Sequence, residues 1–397
     1  MPSYHHLGDI PPKRHTQFRQ PDGSLYAEEL FGTEGFTGNY SILYYHYPPT
    51  RVKRIEQARA NANLYTVHEA WNEGVQRHHH FKTTALARGG DAVLGRQALM
   101  FNQDVVIGVA KPEKAMEYFY RDGESDLVYF VHNGHGVLET NFGLLPYHEG
   151  DYIVIPRGTT FRFELAPDSP DTTFLVIEAH GAIEPPSRYQ NKNGQLLEHA
   201  PYCERDIRRP EELATHTETG EFEVRLRVGH MITSYWYEHH PLNVVGWDGY
   251  EYPWIFNIDD FEPITGRIHQ PPPVHQTFQG PNFVVCSFVP RKLDYHPLSV
   301  PVPYNHSNID SDEMLYYVNG NFGSRRGIEQ ASITLHPRGI PHGPQPGAVE
   351  KSLGAERTEE LAVMVDTFRP LMLTTISQSV DDPAYPYSWL GSETRIP

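Results

Sequence analysis

Cysteine is nearly absent. The 397 residues hold two, Cys203 and Cys286, far apart and in no CxxC pair. That excludes a disulfide framework and a cysteine-built zinc or iron–sulfur site, and it points to the reducing cytoplasm. Long apolar runs are missing too. No stretch approaches the ~18 apolar residues that a membrane-spanning helix needs. The opening MPSYHHLGDIPPKRH has no apolar core, so no signal peptide is expected. Positive charge is in deficit, with 33 Lys and Arg against 50 Asp and Glu, a formal charge of −17. Nucleic acid and anionic membranes both require basic patches, so neither is expected as a partner.

What is plentiful is turn and strand material. The chain has 34 Pro, 32 Gly, 24 Tyr and 19 Phe. Many turns and short β-strands follow, with few and short helices. Strands are expected over 40–47, 104–109, 127–132, 136–140, 152–156, 172–178, 224–236, 283–289 and 360–368. Residues 25–32 read as a short amphipathic turn of helix, and 51–63 as a helix on charge and alanine content. Among the 23 His, the run His78-His79-His80 reads as a strand or loop that carries histidine. Consecutive side chains on a strand face opposite ways and cannot chelate one ion together. The aromatic stretch around Trp247, Tyr252 and Trp254 fits either packing or a wall beside a planar ligand. The tail from Gln378, polar and Pro-rich, reads as irregular or docked on a neighbour.

The richest stretch runs from Tyr304 to Pro346. It holds His306, Glu313 and His342 within YNHSNIDSDEMLYYVNG and LHPRGIPHGPQP. Two imidazoles and one carboxylate on a rigid sheet make a facial triad, which leaves metal positions open and suits non-haem Fe(II). Glu313-x6-Gly320 followed by Pro337-x-Gly339-x2-His342 resembles the two-part motif of the cupin barrel. A second copy of the frame lies upstream: Ser125–Gly134 aligns with Ser311–Gly320, and Pro156–Phe161 with Pro337–His342. The ligand positions there read Tyr120, Leu127 and Phe161, which pack as apolar core and bind no cation. The expected architecture is therefore all-β, two cupin-type jelly-roll barrels with few short helices. Residues 1–180 would form an N-terminal domain with the metal-free copy, 181–240 a connecting segment, and 241–397 the catalytic cupin. His269 and His275, flanking the stiff Pro271-Pro272-Pro273, are candidates for general base, since imidazole titrates near working pH.

Six segments together carry a closer resemblance: LYAEELFGTEGF (25–36), GDYIVIPRGTTFRFE (150–164), VVGWDGYEYPW (244–254), FVPR (288–291), PYNHSNIDSDE (303–313) and LHPRGIPHGPQP (335–346). They stand in the order of the homogentisate 1,2-dioxygenase family, which the chain resembles over most of its length. The resemblance implies Fe(II), dioxygen and a small aromatic substrate. It implies homogentisate opened to 4-maleylacetoacetate in tyrosine and phenylalanine breakdown, by homo-oligomers built as trimers or hexamers. By position, His306, Glu313 and His342 would hold iron. His336 and His342 would contact substrate, and His269 would be the base. Two departures are visible. The His306–Glu313 interval is one residue longer than in the better-known branch, and Phe322 stands where that branch has a substrate-contacting Tyr. These keep gentisate, hydroquinone or an aminophenol open as the substrate. A non-catalytic bicupin binding protein and a metal-dependent isomerase are the readings from other classes.

Overall fold

The computed structural model describes residues 3–57, 69–229, 231–320 and 327–390. It is almost entirely β: among the described residues the α-helices are two short ones, Ala348–Ser352 and Thr375–Gln378. None is long and apolar enough to cross a membrane. The chain forms two compact units, each assembled from separated segments. Unit 1 takes Met1–His68, Arg88–Gln97 and Val109–Asn257; unit 2 takes Glu69–Ala87, Ala98–Gly108 and Ile258–Pro397. Continuous boundaries drawn on the sequence cannot express this interleaving, because pairing across a barrel joins strands remote in sequence.

In unit 1 the central strands are β1 (Asp126–Asn133), β2 (Asp151–Ile155) and β3 (Thr173–Ala179), with β1 between the other two. They face a second sheet that includes Gly136–Thr140, Thr160–Leu165 and Phe119–Asp122. Inward residues of both sheets, Tyr129, Ile153, Phe161, Phe163 and Phe174 among them, are fully buried in one core. A fully buried aromatic or aliphatic side chain of this size contributes about 1.5–3 kcal/mol, which outweighs the weak local propensity of short strands. Within 181–240, residues 219–239 form the paired strands Thr219–Val228 and Met231–His239, and the first also pairs in parallel with Phe119–Asp122.

In unit 2 the corresponding strands are β5 (Asp312–Asn319), β6 (Ile333–His336) and β7 (Leu361–Thr367), with β4 (Phe283–Phe288) beyond β7. The two triplets repeat each other in detail. Each has a register shift at one position, between Val131 and Asn133 in β1 and between Tyr317 and Asn319 in β5. Each shift is followed by a glycine of positive φ, Gly134 at 100° and Gly320 at 102°. A Cβ on Gly320 would stand 2.1 Å from the Glu359 carbonyl oxygen, so only glycine fits. Each triplet also carries the same ion clip. Asp126 accepts from the Arg157 backbone N–H and Nε, at 3.1 and 2.9 Å. Asp312 accepts from Arg338 in the same way, at 2.9 and 3.0 Å. Their second oxygens accept from the Ile183 and Leu371 amides.

Two local expectations are corrected. Residues 27–32 form a strand, Ala27–Gly32, with alternating burial, because Tyr40–Tyr45 offers a pairing edge that a lone helical turn cannot match. Val52–Gln57 is also a strand, paired with Met231–His239; residues 58–63 of that expected helix lie outside the described residues. The described part of the tail is mostly irregular, as expected, with one 3-10 turn at Tyr385–Tyr387 and Tyr385 buried.

Candidate metal centre

His306, Glu313 and His342 come together, with one ligand atom from each within 4.8 Å of the others. Their placement follows from the chain. Glu313 is the second residue of β5, held in register between β6 and β7. His306 and His342 are locked to each other by reciprocal backbone hydrogen bonds, His306 N to His342 O at 2.8 Å and His342 N to His306 O at 2.9 Å. Each imidazole donates Nδ1–H to a carbonyl two residues earlier, Tyr304 O and Ile340 O, both at 3.2 Å. That fixes the tautomer with Nε2 as the available ligand atom. His306 Nε2 lies 3.6 Å from Glu313 Oε2 and His342 Nε2 lies 3.4 Å from Glu313 Oε1.

The donor set fits a divalent cation. Ligands about 2.0–2.2 Å from one ion and on the same side of it stand roughly 3 Å from each other. The buried His342 Nε2 has no hydrogen-bond partner among the described residues despite this crowding. Burial alone would raise the Glu313 carboxyl, but the imidazoles of His306, His336 and His342 hold it well below the usual carboxylate range. Asp366, opposite Glu313 on β7, is pushed well up by burial and then by the Glu313 charge. Its buried Oδ1 has no hydrogen-bond partner among the described residues. A cation among these groups would offset both effects.

Behind the triad stands a relay that the sequence left hidden. His336 is fully buried; its Nδ1 donates to Glu313 Oε1 at 2.8 Å and its Nε2 accepts from the Tyr385 hydroxyl at 3.1 Å. Tyr385 comes from the tail, where the aromatic cluster YPYSW was the only signal. Removing such a partner of a ligand typically lowers metal affinity about 10–100-fold. His336→Ala should therefore weaken metal binding by that factor in an anaerobic titration, and unchanged affinity would refute the positioning role.

A cavity of about 290 Å³ adjoins the cluster. His306 and Glu313 line it, with His269, His275, Leu315 and Tyr317 among the other walls. Both base candidates thus reach the same space. They differ in electrostatics. His275 is buried, and burial, then the charges of Arg291 and His269, push it down to about 3. His269 is half-buried and also lowered, by burial first, with Asp294 opposing and Arg291 and His306 assisting. His336 and His342 are not among the cavity's walls, and Phe322 lies outside the described residues. His78, His79 and His80 each have a separate partner, Pro341 O, Asp381 and Ser332. Trp247 and Tyr252 pack with Leu43 and Phe142 in the core of unit 1.

A family model described as homogentisate 1,2-dioxygenase N-terminal matches residues 3–258. The chain belongs to the homogentisate 1,2-dioxygenase family. It is 42% identical over 395 residues, 99% of this chain and 100% of the other, to a Saccharolobus solfataricus protein named only provisionally as a dioxygenase. It is 25% identical to the homogentisate 1,2-dioxygenase of Rhodopseudomonas palustris BisB18 over 98% of this chain and 91% of that enzyme. The match to the Bradyrhizobium diazoefficiens enzyme, 26% identical, takes in 70% of this chain and 64% of that protein. Among solved structures, Bacillus subtilis oxalate decarboxylase matches at 10% identity and a TM-score of 0.34, over 79% of this chain and 81% of that one. A cupin barrel protein of Leptotrichia buccalis matches at 10% and 0.32, over 74% and 98%. Family membership makes the chain a metal-dependent enzyme of the dioxygenase class with a cupin fold. The matched residues end before His306, Glu313 and His342.

Proposed function

We propose that this chain is a non-haem Fe(II) ring-cleaving dioxygenase that opens homogentisate with dioxygen to 4-maleylacetoacetate. The observation that carries the reading is the His306–Glu313–His342 cluster opening onto a cavity with apolar walls and a basic imidazole. His306, Glu313 and His342 would hold iron, which supplies a shared binding point for an electron-rich ring and dioxygen when bound. The chain's own groups do the rest. The reciprocal backbone pair and the His336–Tyr385 relay keep the ligands in place without reorganisation. His269 takes a ring hydroxyl proton: it is lowered less severely than His275, which at about 3 is too weak a base at neutral pH. Neutral His275 offers its Nδ1, which has no hydrogen-bond partner among the described residues, to a polar ring substituent. Leu315, Phe288 and Met364 keep water from the walls. Assembly as a trimer or hexamer belongs to the same reading.

The test is dioxygen consumption by protein loaded anaerobically with iron, with homogentisate, gentisate and hydroquinone in parallel. Uptake with homogentisate, tracked with the absorbance of the ring-opened product, is expected. Uptake confined to gentisate or hydroquinone would move the substrate, in keeping with Phe322 replacing a tyrosine. Bound iron without uptake on any ring would sink the dioxygenase reading in favour of a binding protein.

A further inference from the structure

Arg291 is a cation in the wall of the cavity beside the metal centre, and among the described residues it has no ion-pair partner. It follows β4 in the FVPR segment and sits in a two-residue strand, Arg291–Lys292, paired with Arg357–Thr358. Its one side-chain hydrogen bond among the described residues runs from Nη1 to the Val289 carbonyl at 3.1 Å, and the guanidinium lies 5.7 Å from the Phe288 ring centre. No carboxylate forms an ion pair with it among the described residues. Burial lowers its pKa, and the fields of Glu360 and Asp294 only partly oppose that. Arg157, Arg162 and Arg338, by contrast, each hold a carboxylate at 2.7–3.0 Å.

A half-buried guanidinium without an ion-pair partner is costly to keep, and its planar fork suits a carboxylate, which it can grip through two parallel hydrogen bonds. Arg291 also shares the cavity with His269, His275, His306 and Glu313. A ligand gripped there is in the same chamber as the base and the metal cluster. We infer that Arg291 is the specificity-determining residue of this site, and that it selects aromatic substrates carrying a carboxylate on a side group over neutral rings. The inference rests on the reading of this cavity as the substrate site. It also supplies an anchor that does not depend on a hydroxyl at position 322.

The measurement is binding, made without turnover. Calorimetry on the anaerobic iron-loaded chain compares 4-hydroxyphenylacetate with 4-methylphenol, which share the ring and differ in the carboxylate. The wild type should bind the acid at least tenfold more tightly. Arg291→Met should bring the ratio close to one by weakening the acid 10–100-fold while leaving 4-methylphenol within about twofold. Arg291→Gln gives the same reading should the methionine variant fail to fold. A merely structural role would weaken both ligands alike. A wild-type ratio near one, or a variant that keeps the preference for the acid, overturns the inference. If acid selection through Arg291 holds while no ring supports dioxygen uptake, the inference stands and the ring-cleavage reading falls. Uptake with an intact preference in Arg291→Met gives the reverse.

Discussion

His342→Ala should abolish dioxygen uptake and release the metal while leaving the protein folded. The side chain removes one of three ligands, and the loss in affinity should reach on the order of 100-fold or more, beyond that of a supporting partner. The backbone pair between His306 and His342 uses only main-chain atoms, so it survives the substitution. Glu313 keeps its hydrogen bond from His336. Metal content after anaerobic dialysis, uptake rate and thermal midpoint should therefore separate cleanly: the first two collapse and the third moves little. Glu313→Gln tests the charge alone, since the amide keeps the shape and an acceptor oxygen. A variant that retains stoichiometric iron and full uptake would remove His342 from the centre.

The second large effect lies in unit 1 and concerns stability. Where β5 places Glu313 opposite Asp366, β1 places Leu127 opposite Glu178. Glu178 is buried and pairs with two guanidinium groups, Arg227 at 2.6 Å and Arg96 at 3.4 Å. Arg227 reaches on to Asp122 at 3.1 Å, and the Tyr120 hydroxyl donates to the same carboxylate. All of these side chains are at most 8% exposed. Glu178→Ala leaves two buried cations with Asp122 as the buried carboxylate beside them and the more exposed Glu124 at 3.8 Å from Arg227. Breaking one partner of a buried pair costs about 3–5 kcal/mol, whereas replacing a whole network with apolar groups of similar volume is often neutral. Denaturant unfolding should show a loss of that size for Glu178→Ala, with metal affinity of the folded protein unchanged. A loss under about 1 kcal/mol would mean that the charges rearrange or reach water.

Much of this was legible in residue order, for identifiable reasons. The repeat of Asp126 and Arg157 in Asp312 and Arg338 could be aligned by eye, because a clip of two side chains and a turn glycine needs fixed spacing. The triad was legible for the same reason: Glu313 and His342 are framed by Gly320, Pro337 and Gly339. What stayed hidden depends on partners remote in sequence. Tyr385 meets His336 across 49 residues and Arg96 meets Glu178 across 82, with no periodicity to announce either contact. The strand at Ala27–Gly32 was mistaken for a helical turn because its apolar pattern is short and its pairing edge, Tyr40–Tyr45, decides the outcome. The role of Arg291 was invisible because a lone arginine after a strand looks like surface until its surroundings are known.

The charge network in unit 1 also bears on what substitution could build there. A single reversion, Leu127 to glutamate, would not recreate a metal site there. The new carboxylate would stand opposite Glu178 and beside Arg96 and Arg227, which would satisfy it as guanidinium partners and leave no room for an ion. A His/Glu/His set at positions 120, 127 and 161 would need two histidines besides the glutamate, and Arg96 and Arg227 would remain as competing cations. The metal centre and the charge network are thus alternative fillings of one frame, and no single substitution turns the second into the first.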